Sequence, residues 1–292
     1  MLSNLHRKNN SVTTNVIGFT KTIALFTNAR DEGHIKEWVA HHLLIGFDYI
    51  FIFDHKSLLP LTTVFRNFDK RVKIINVSHM NGAIKTELMN VAANISKSLK
   101  IDWLLYLDAD EFLILNHKKF KGVKHFLDHY QFADSLGVNW LMFGSNYLKK
   151  EPKGLIFDNY TRSAKNLDMH VKSFTRPSQI INSSNPHYYN IINKNRMYGV
   201  DKKLTHIPAF NKIAFSFDVV PAYIAHYFHQ SEETYKKRKG LIPRDDNGTY
   251  REITDNDIKN IHDQFNEIEN LDPMNKYSEK IKQFLSKFND GV

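Results

Sequence analysis

Five consecutive apolar residues, Trp103-Leu104-Leu105-Tyr106-Leu107, run straight into Asp108-Ala109-Asp110-Glu111-Phe112. Uninterrupted apolar sequence is what a parallel strand covered on both faces requires. The segments before it alternate. Ile17 to Phe26 reads as a strand ending in the polar turn Thr27 to Gly33. Ile35, Trp38, Val39 and His42 then recur at helical spacing, and Gly46 ends that helix. Tyr49 to Phe53 is a second strand, closed by Asp54-His55-Lys56-Ser57, and Pro60 opens a short helix. Val72 to Val77 is a third strand, and Ile84, Leu88, Val91, Ile95 and Leu99 mark the next helix. Strand–helix alternation predicts an α/β domain of the Rossmann type, a mostly parallel sheet flanked by helices. Ligands bind such sheets beyond the carboxyl ends of the strands, where strand order reverses. For the order 3-2-1-4 that crevice lies between strands one and four, where the acidic turns after Phe26 and Leu107 fall.

Composition narrows the class further. A chain of 292 residues that is 42% hydrophobic and 13% aromatic carries ample apolar surface for a folded core. Zero cysteines exclude a disulfide framework, thiolate metal sites and cysteine nucleophiles. No apolar run approaches the roughly 18 residues that cross a bilayer. Residues 1–15 lack the apolar centre of a signal peptide and read as a flexible segment. A cytoplasmic protein is therefore expected. The net charge of +9 fits phosphorylated ligands, an anionic membrane surface or nucleic acid, but it also fits a lysine-rich genome.

The pair Asp108 and Asp110 carries the chemistry. In extended backbone, residues two apart project to one side, so the two carboxylates offer hard oxygen ligands to Mg²⁺ or Mn²⁺. A metal there leaves positions for the oxygens of a diphosphate and neutralises charge on a leaving phosphate. Glu111 either orients a metal-bound water or caps a following helix. The bland alternative is that acidic residues often begin turns after strands. Neither a Gly-x-Gly-x-x-Gly after the first strand nor a P-loop pattern is present. An aspartate-phosphatase motif follows the first strand rather than the fourth, and an EF-hand loop lacks its glycine here.

Taken in order, several segments resemble bacterial family 2-like glycosyltransferases and the related family 92 proteins, both of the GT-A type. They are Asn28 to Glu32, Glu37-Trp38, His41-His42, Gly46 to Asp48, Phe53 to Ser57, Asp108 to Phe112, Trp140 with Phe143 to Ser145, Lys172 to Phe174 with Pro177, and His226 to Phe228 with Ser231 to Glu233 and Lys236 to Gly240. The resemblance implies transfer of a sugar from a nucleotide-sugar donor to a glycan or glycolipid acceptor. It makes Asp108 and Asp110 the metal-binding pair, and Asn28, Glu32 and Asp54 nucleoside contacts. Inversion at the anomeric carbon and a place in surface polysaccharide or lipopolysaccharide synthesis are implied in the same way. The chain departs from the pattern at His55 and Tyr147.

Other residues are candidates on their own chemistry. His226 ends an apolar strand and is a third metal ligand, a donor-phosphate contact or a buried structural histidine. The Lys236 to Lys239 run either holds a diphosphate or sits as cations at a helix C-terminus. His42 reads as core, and His41 as an i,i+4 partner of Glu37. His187 lies in a polar, irregular stretch, Ser178 to His206, which fits a lid or binding loop on the acceptor side. Inversion needs a general base, for which Asp158, with Glu151 as an alternative, follows the strand Val138 to Phe143. Ile258, Ile261, Phe265 and Ile268, then Ile281, Phe284, Leu285 and Phe288, predict two amphipathic C-terminal helices. These dock on the main body, or the last one lies on a membrane as a peripheral contact.

The resulting organisation is a catalytic domain at 16–245, with a donor half at 16–115 and an acceptor half at 116–245, followed by a helical extension at 246–292. Two rivals remain. A nucleotidyltransferase also uses paired carboxylates, and a basic nucleic-acid-binding module accounts for the charge. The absence of any aromatic–basic RNA motif argues against a nucleic-acid partner.

Overall fold

The protein is described by a computed structural model over residues 21–213, 216–241 and 249–288. The expected N-terminal segment 1–15 and the turn from Pro243 to Gly248 lie outside the described residues. The first half follows the alternation read from sequence. Strand β1 (Ile23–Ala29) leads to helix α1 (Ile35–Leu44), β2 (Tyr49–Asp54), a short helix α2 (Leu61–Val64), β3 (Val72–Asn76), α3 (Lys85–Ser98) and β4 (Trp103–Tyr106). These four strands are parallel in the order β3-β2-β1-β4, which puts the reversal of strand order between β1 and β4. Strand β1 runs to Ala29, three residues further than its apolar pattern, because Thr27 and Asn28 continue to pair with β2.

The side-chain period of two sorts these strands onto two cores. Ile23, Leu25, Ile50, Ile52, Trp103 and Leu105 face the larger cluster, which α1 covers with Trp38, Val39 and Leu43. Ala24, Phe26, Phe51, Phe53, Leu104 and Tyr106 face the other, covered by α3. On α3 the buried stripe is Leu88, Met89, Ala92, Ala93 and Ser96, while Val91 and Leu99 are exposed. Of the expected stripe, Ile84 and Leu88 are buried and Ile95 packs on this core, while the small Ala92 and Ala93 take the sheet face in place of Val91 and Leu99.

The second half continues with β5 (Glu111–Leu115), α4 (Val123–Asp128), β6 (Ser135–Met142), α5 (Ile156–Asn159), β7 (Arg162–Ser163), β8 (Val171–Thr175), β9 (Ile180–Asn185), β10 (Tyr188–Ile191), β11 (Met197–Gly199) and β12 (Ala222–His226). The sheet extends as β4-β8-β6-β12-β5, with β8 and β5 running against the rest. Laid flat, the four strand spacings from β4 to β5 would separate them by about 19 Å. The connection from Tyr106 to Glu111 reaches at most about 18 Å fully extended. It is not extended, since Glu111 N–H bonds to Asp108 O at 3.0 Å. The sheet must therefore curl, and Asp108 to Asp110 form the seam where its two halves meet. The carboxylates stand on a tight turn there rather than on extended backbone.

The polar stretch Ser178 to His206 is not an irregular loop. It holds the β9–β10 hairpin, whose Ile180 and Tyr189 pack on the α3 core. The C-terminal part holds α6 (Glu232–Lys236), a π-helical turn over Lys237–Leu241, α7 (Asp255–Asp263), β13 (Ile268–Glu269) and α8 (Asp272–Ser286). Helix α7 stops before Phe265, which has φ 60°, and Ile268 belongs to a strand paired with β7. Helix α8 packs on α1 and α5, with Ile281 fully buried and Phe284 and Phe288 against Phe68. Among the described residues, no helix is long and apolar enough to cross a membrane.

Candidate active site

The carboxyl ends of β1 and β4 open into a cavity of about 370 Å³. Asn28, Glu32, Asp108, Asp110 and His226 all line it, so residues up to two hundred positions apart in sequence converge at the strand-order reversal. Asn28 is fixed at the end of β1 by Tyr106, whose hydroxyl donates to Asn28 Oδ1 at 3.1 Å. His226 reaches the cavity because β12 pairs with β5 in a register that sets it opposite Glu111.

Two expected site residues are elsewhere. Asp54 is buried under the cleft, where its carboxylate accepts the N–H groups of Ser57 and Leu61 at 3.3 and 2.8 Å and fixes the turn into α2. Its neighbour His55 lines the cavity instead. Asp158 does not line the cavity either; it sits on α5 in a 2.9 Å ion pair with Lys282 of α8. Glu151 is consumed by His34, Tyr160, Ser231 and Thr234. His41 bonds to Leu113 O rather than to Glu37, and Glu37 accepts the N–H groups of Ile156 and Phe157. His42 is core, as its place on the apolar stripe predicts.

Cations dominate the cavity. Lys85 and Lys172 hold the two oxygens of Asp108, Lys172 at 3.1 Å. Arg238 sets Nη2 2.8 Å from Asp110 Oδ2 and Nε 3.4 Å from Glu32. Burial alone would raise Asp110, but Arg238 and then His226 hold its carboxyl well below the usual carboxylate range. Burial lowers Lys239 to about 8, with Arg238 adding repulsion, and its ammonium stands 4.2 Å from the centre of the Phe228 ring. His187 is pushed down to about 3 by burial and by Lys172. Arg30, Ala109, Trp140, Pro186 and Arg251 complete the lining.

Glu111 neither orients a water nor caps a helix. It is fully buried, its Oε2 accepts Asp108 N–H at 2.8 Å, and Lys172 stands 3.5 Å away. It therefore locks the turn that presents the aspartates. Its Oε1 faces His226 Nδ1 at 3.9 Å.

The donor set suits a hard divalent ion: two carboxylates, with His226 Nε2 3.7 Å from Asp110 Oδ1. Among the described residues no three His, Cys, Asp or Glu side chains group closely enough to hold one alone. An ion here would need substrate oxygens to complete its shell, in keeping with a cavity full of anion-binding cations.

Lys85 and Arg251, which also line the cavity, belong to no motif in the sequence. Lys85 carried a readable signal: it is the first residue of α3, where a cation opposes the helix dipole and so lacks a local structural reason. Arg251 has none, because only the fold of the C-terminal segment brings it to the cavity.

The model of glycosyltransferase family 92 matches residues 24–268, most of the chain, and that span includes every residue that lines the cavity. No curated protein matches the chain.

Proposed function

Because the chain belongs to glycosyltransferase family 92 and is a glycosyltransferase, we propose that it moves a sugar from a nucleotide-sugar donor to an acceptor hydroxyl, with inversion and with help from Mn²⁺ or Mg²⁺. One observation carries this reading: Asp108 and Asp110 face the strand-reversal cavity together with Lys85, Lys172, Arg238 and Lys239. A nucleoside or sugar alone needs no such density of positive charge, whereas a diphosphate does.

Asp108 and Asp110, with His226 beside them, would hold the divalent ion, which supplies Lewis-acid neutralisation of the departing diphosphate. Lys85, Lys172, Arg238 and Lys239 spread further positive charge along the phosphates, preorganised in a partly enclosed site where it acts most strongly. Arg238 then exchanges its carboxylate partners for phosphate oxygens, a geometry its planar fork suits. Asn28 and Glu32, at the end of β1, contact the nucleoside. The buried Asp54 supports this end by holding the His55 turn. The acceptor enters from the side of Trp140 and His187, and is a glycan or glycolipid of the kind used in surface polysaccharide or lipopolysaccharide synthesis.

The test is thermal stabilisation by UDP-, GDP- and dTDP-sugars with and without Mn²⁺, followed by product analysis. A ligand that binds only the native state raises the melting temperature. Release of a nucleoside diphosphate supports transfer, and its loss in Asp110→Ala with the fold retained supports the site. Release of pyrophosphate would instead identify nucleotidyl transfer.

A further inference from the structure

We propose that His170, oriented by Asp168, is the general base that takes the proton of the acceptor hydroxyl. This rests on the transfer reading above and supplies a base in place of Asp158, whose carboxylate is held by Lys282 of α8.

His170 Nδ1 lies 2.6 Å from Asp168 Oδ1. A carboxylate only accepts, so Nδ1 carries the proton and Nε2 is left with its lone pair. Asp168 is fixed in turn, since its Oδ1 also accepts the His170 backbone N–H at 2.8 Å. The loop is clamped to one residue of the cavity wall: Asp168 N–H bonds to Trp140 O at 2.8 Å, and Trp140 N–H bonds to His170 O at 3.0 Å. The His170 ring stacks on the Trp140 ring at 5.2 Å and 23°. Trp140 lines the cavity and touches His226 at 4.5 Å. The dyad is thus one ring removed from the aspartate site, with the His170 side chain 38% exposed.

The other candidate bases lining the cavity are occupied, His55 among them through Nε2 on Met80 O at 3.1 Å. Asp108, Asp110, Glu32 and Glu111 each stand within 4 Å of a Lys or Arg and are engaged by it. His226 faces Asp110 and Glu111. His187, pushed down to about 3, is too weak to take a proton near neutrality. Around His170 the packed groups are Asp168, His187 at 5.4 Å, and the uncharged rings of Trp140 and Phe210, with Lys172 two residues along engaged on Asp108. No carboxylate other than Asp168 contacts it among the described residues.

In the step itself the acceptor oxygen bonds to the anomeric carbon as the bond from that carbon to the phosphate oxygen breaks. The electron pair leaves on the nucleoside diphosphate, and the hydroxyl proton passes to His170 Nε2 and then to solvent. Asp168 is a positioning residue, holding the tautomer and stabilising the imidazolium.

The experiment compares wild type with His170→Asn, His170→Gly and Asp168→Asn, following nucleoside diphosphate release from UDP- and GDP-sugars over a panel of methyl glycosides. The expected result is a turnover number about 10²- to 10⁴-fold lower in His170→Asn. The acidic limb of the pH–rate profile should vanish, donor-induced thermal stabilisation should stay at the wild-type value, and imidazole should partly rescue His170→Gly. Asp168→Asn should lose the Nδ1–H tautomer of His170 in long-range ¹H–¹⁵N spectra. A His170→Asn variant with wild-type turnover and pH profile would overturn the assignment, as would a wild-type Nε2–H tautomer. If wild type neither binds nor turns over any nucleotide sugar, the transfer reading fails instead.

Discussion

Arg238 bridges two carboxylates from opposite halves of the sheet, with Asp110 Oδ2 2.8 Å from Nη2 and Glu32 Oε2 3.4 Å from Nε. The arrangement is asymmetric in its consequences. Asp110→Ala leaves Arg238 with Glu32, whereas Arg238→Met leaves the buried Asp110 carboxylate with His226 and only the more distant charge of Lys239. An uncompensated buried charge costs about 3–5 kcal/mol. Urea unfolding should therefore show Arg238→Met to be markedly destabilised and Asp110→Ala much less so. Equal losses would mean that the pair does not carry the seam.

Lys85 offers the opposite combination. It begins α3, where a cation meets the positive end of the helix dipole, yet it holds Asp108 in the cavity. Lys85→Gln should be neutral or stabilising by a few tenths of a kcal/mol, within the range of exposed dipole effects. The donor KM should rise roughly tenfold or more, the loss of one charge-assisted contact of about 1.5–3 kcal/mol. Melting curves and steady-state kinetics on the same variant check both halves.

The seam explains what could be read from sequence and what could not. Periodicity is local, so β1 to β4, α1 and the strand-end position of Asp108 were legible, whereas Asn28 and Glu32 entered only through the family resemblance. Residues whose role depends on distant pairing were not legible. Asp158 follows a strand as a base might, but α8 returns to claim it through Lys282. Asp54 ends its strand as a ligand contact would, yet its lone pairs go to backbone N–H groups three and seven residues on. The β9–β10 hairpin within Ser178 to His206 is hard to read because β9 buries only Ile180 and Ser183 of its six residues and β10 is only four residues long.

Stability should fall on the alkaline side because of His34. Burial opposes its charge, but hydrogen bonds and charges from Glu151 and Glu37 raise it to about 9, against an ordinary 6.5. A base raised on folding contributes stability that is complete below pH 6.5 and is lost as pH climbs through 9. Glu151, held at about 2 against burial by His34, Thr234, Tyr160 and Ser231, contributes stability present above 4.5 and lost as pH falls towards 2. Lys239, lowered to about 8, acts in the contrary direction between 8 and 10.5. The difference between wild type and His34→Gln isolates the first effect. The wild-type advantage in melting temperature should be largest near pH 6 and shrink by pH 9.5; an advantage independent of pH would refute the charged pair.

Gly144 tests whether the C-terminal segment is built into the catalytic body. A Cβ there would meet the side chain of Asn266 and come within 2.6 Å of Phe265 O. Asn266 cannot easily retreat, because it accepts Asn146 N–H at 3.0 Å and donates to His262 O at 2.9 Å. The carbonyl of Phe265 is equally fixed, in a residue already at φ 60°. Gly144→Ala should therefore cost about 1–3 kcal/mol by overpacking. For a chain of this size that lowers the melting temperature by roughly 2–4 °C per kcal/mol. Adding Asn266→Ala removes the side-chain clash but not the carbonyl one, so the double variant should recover less than Gly144→Ala loses. Full tolerance of Gly144→Ala would show that residues 265–266 are not clamped against the strand end.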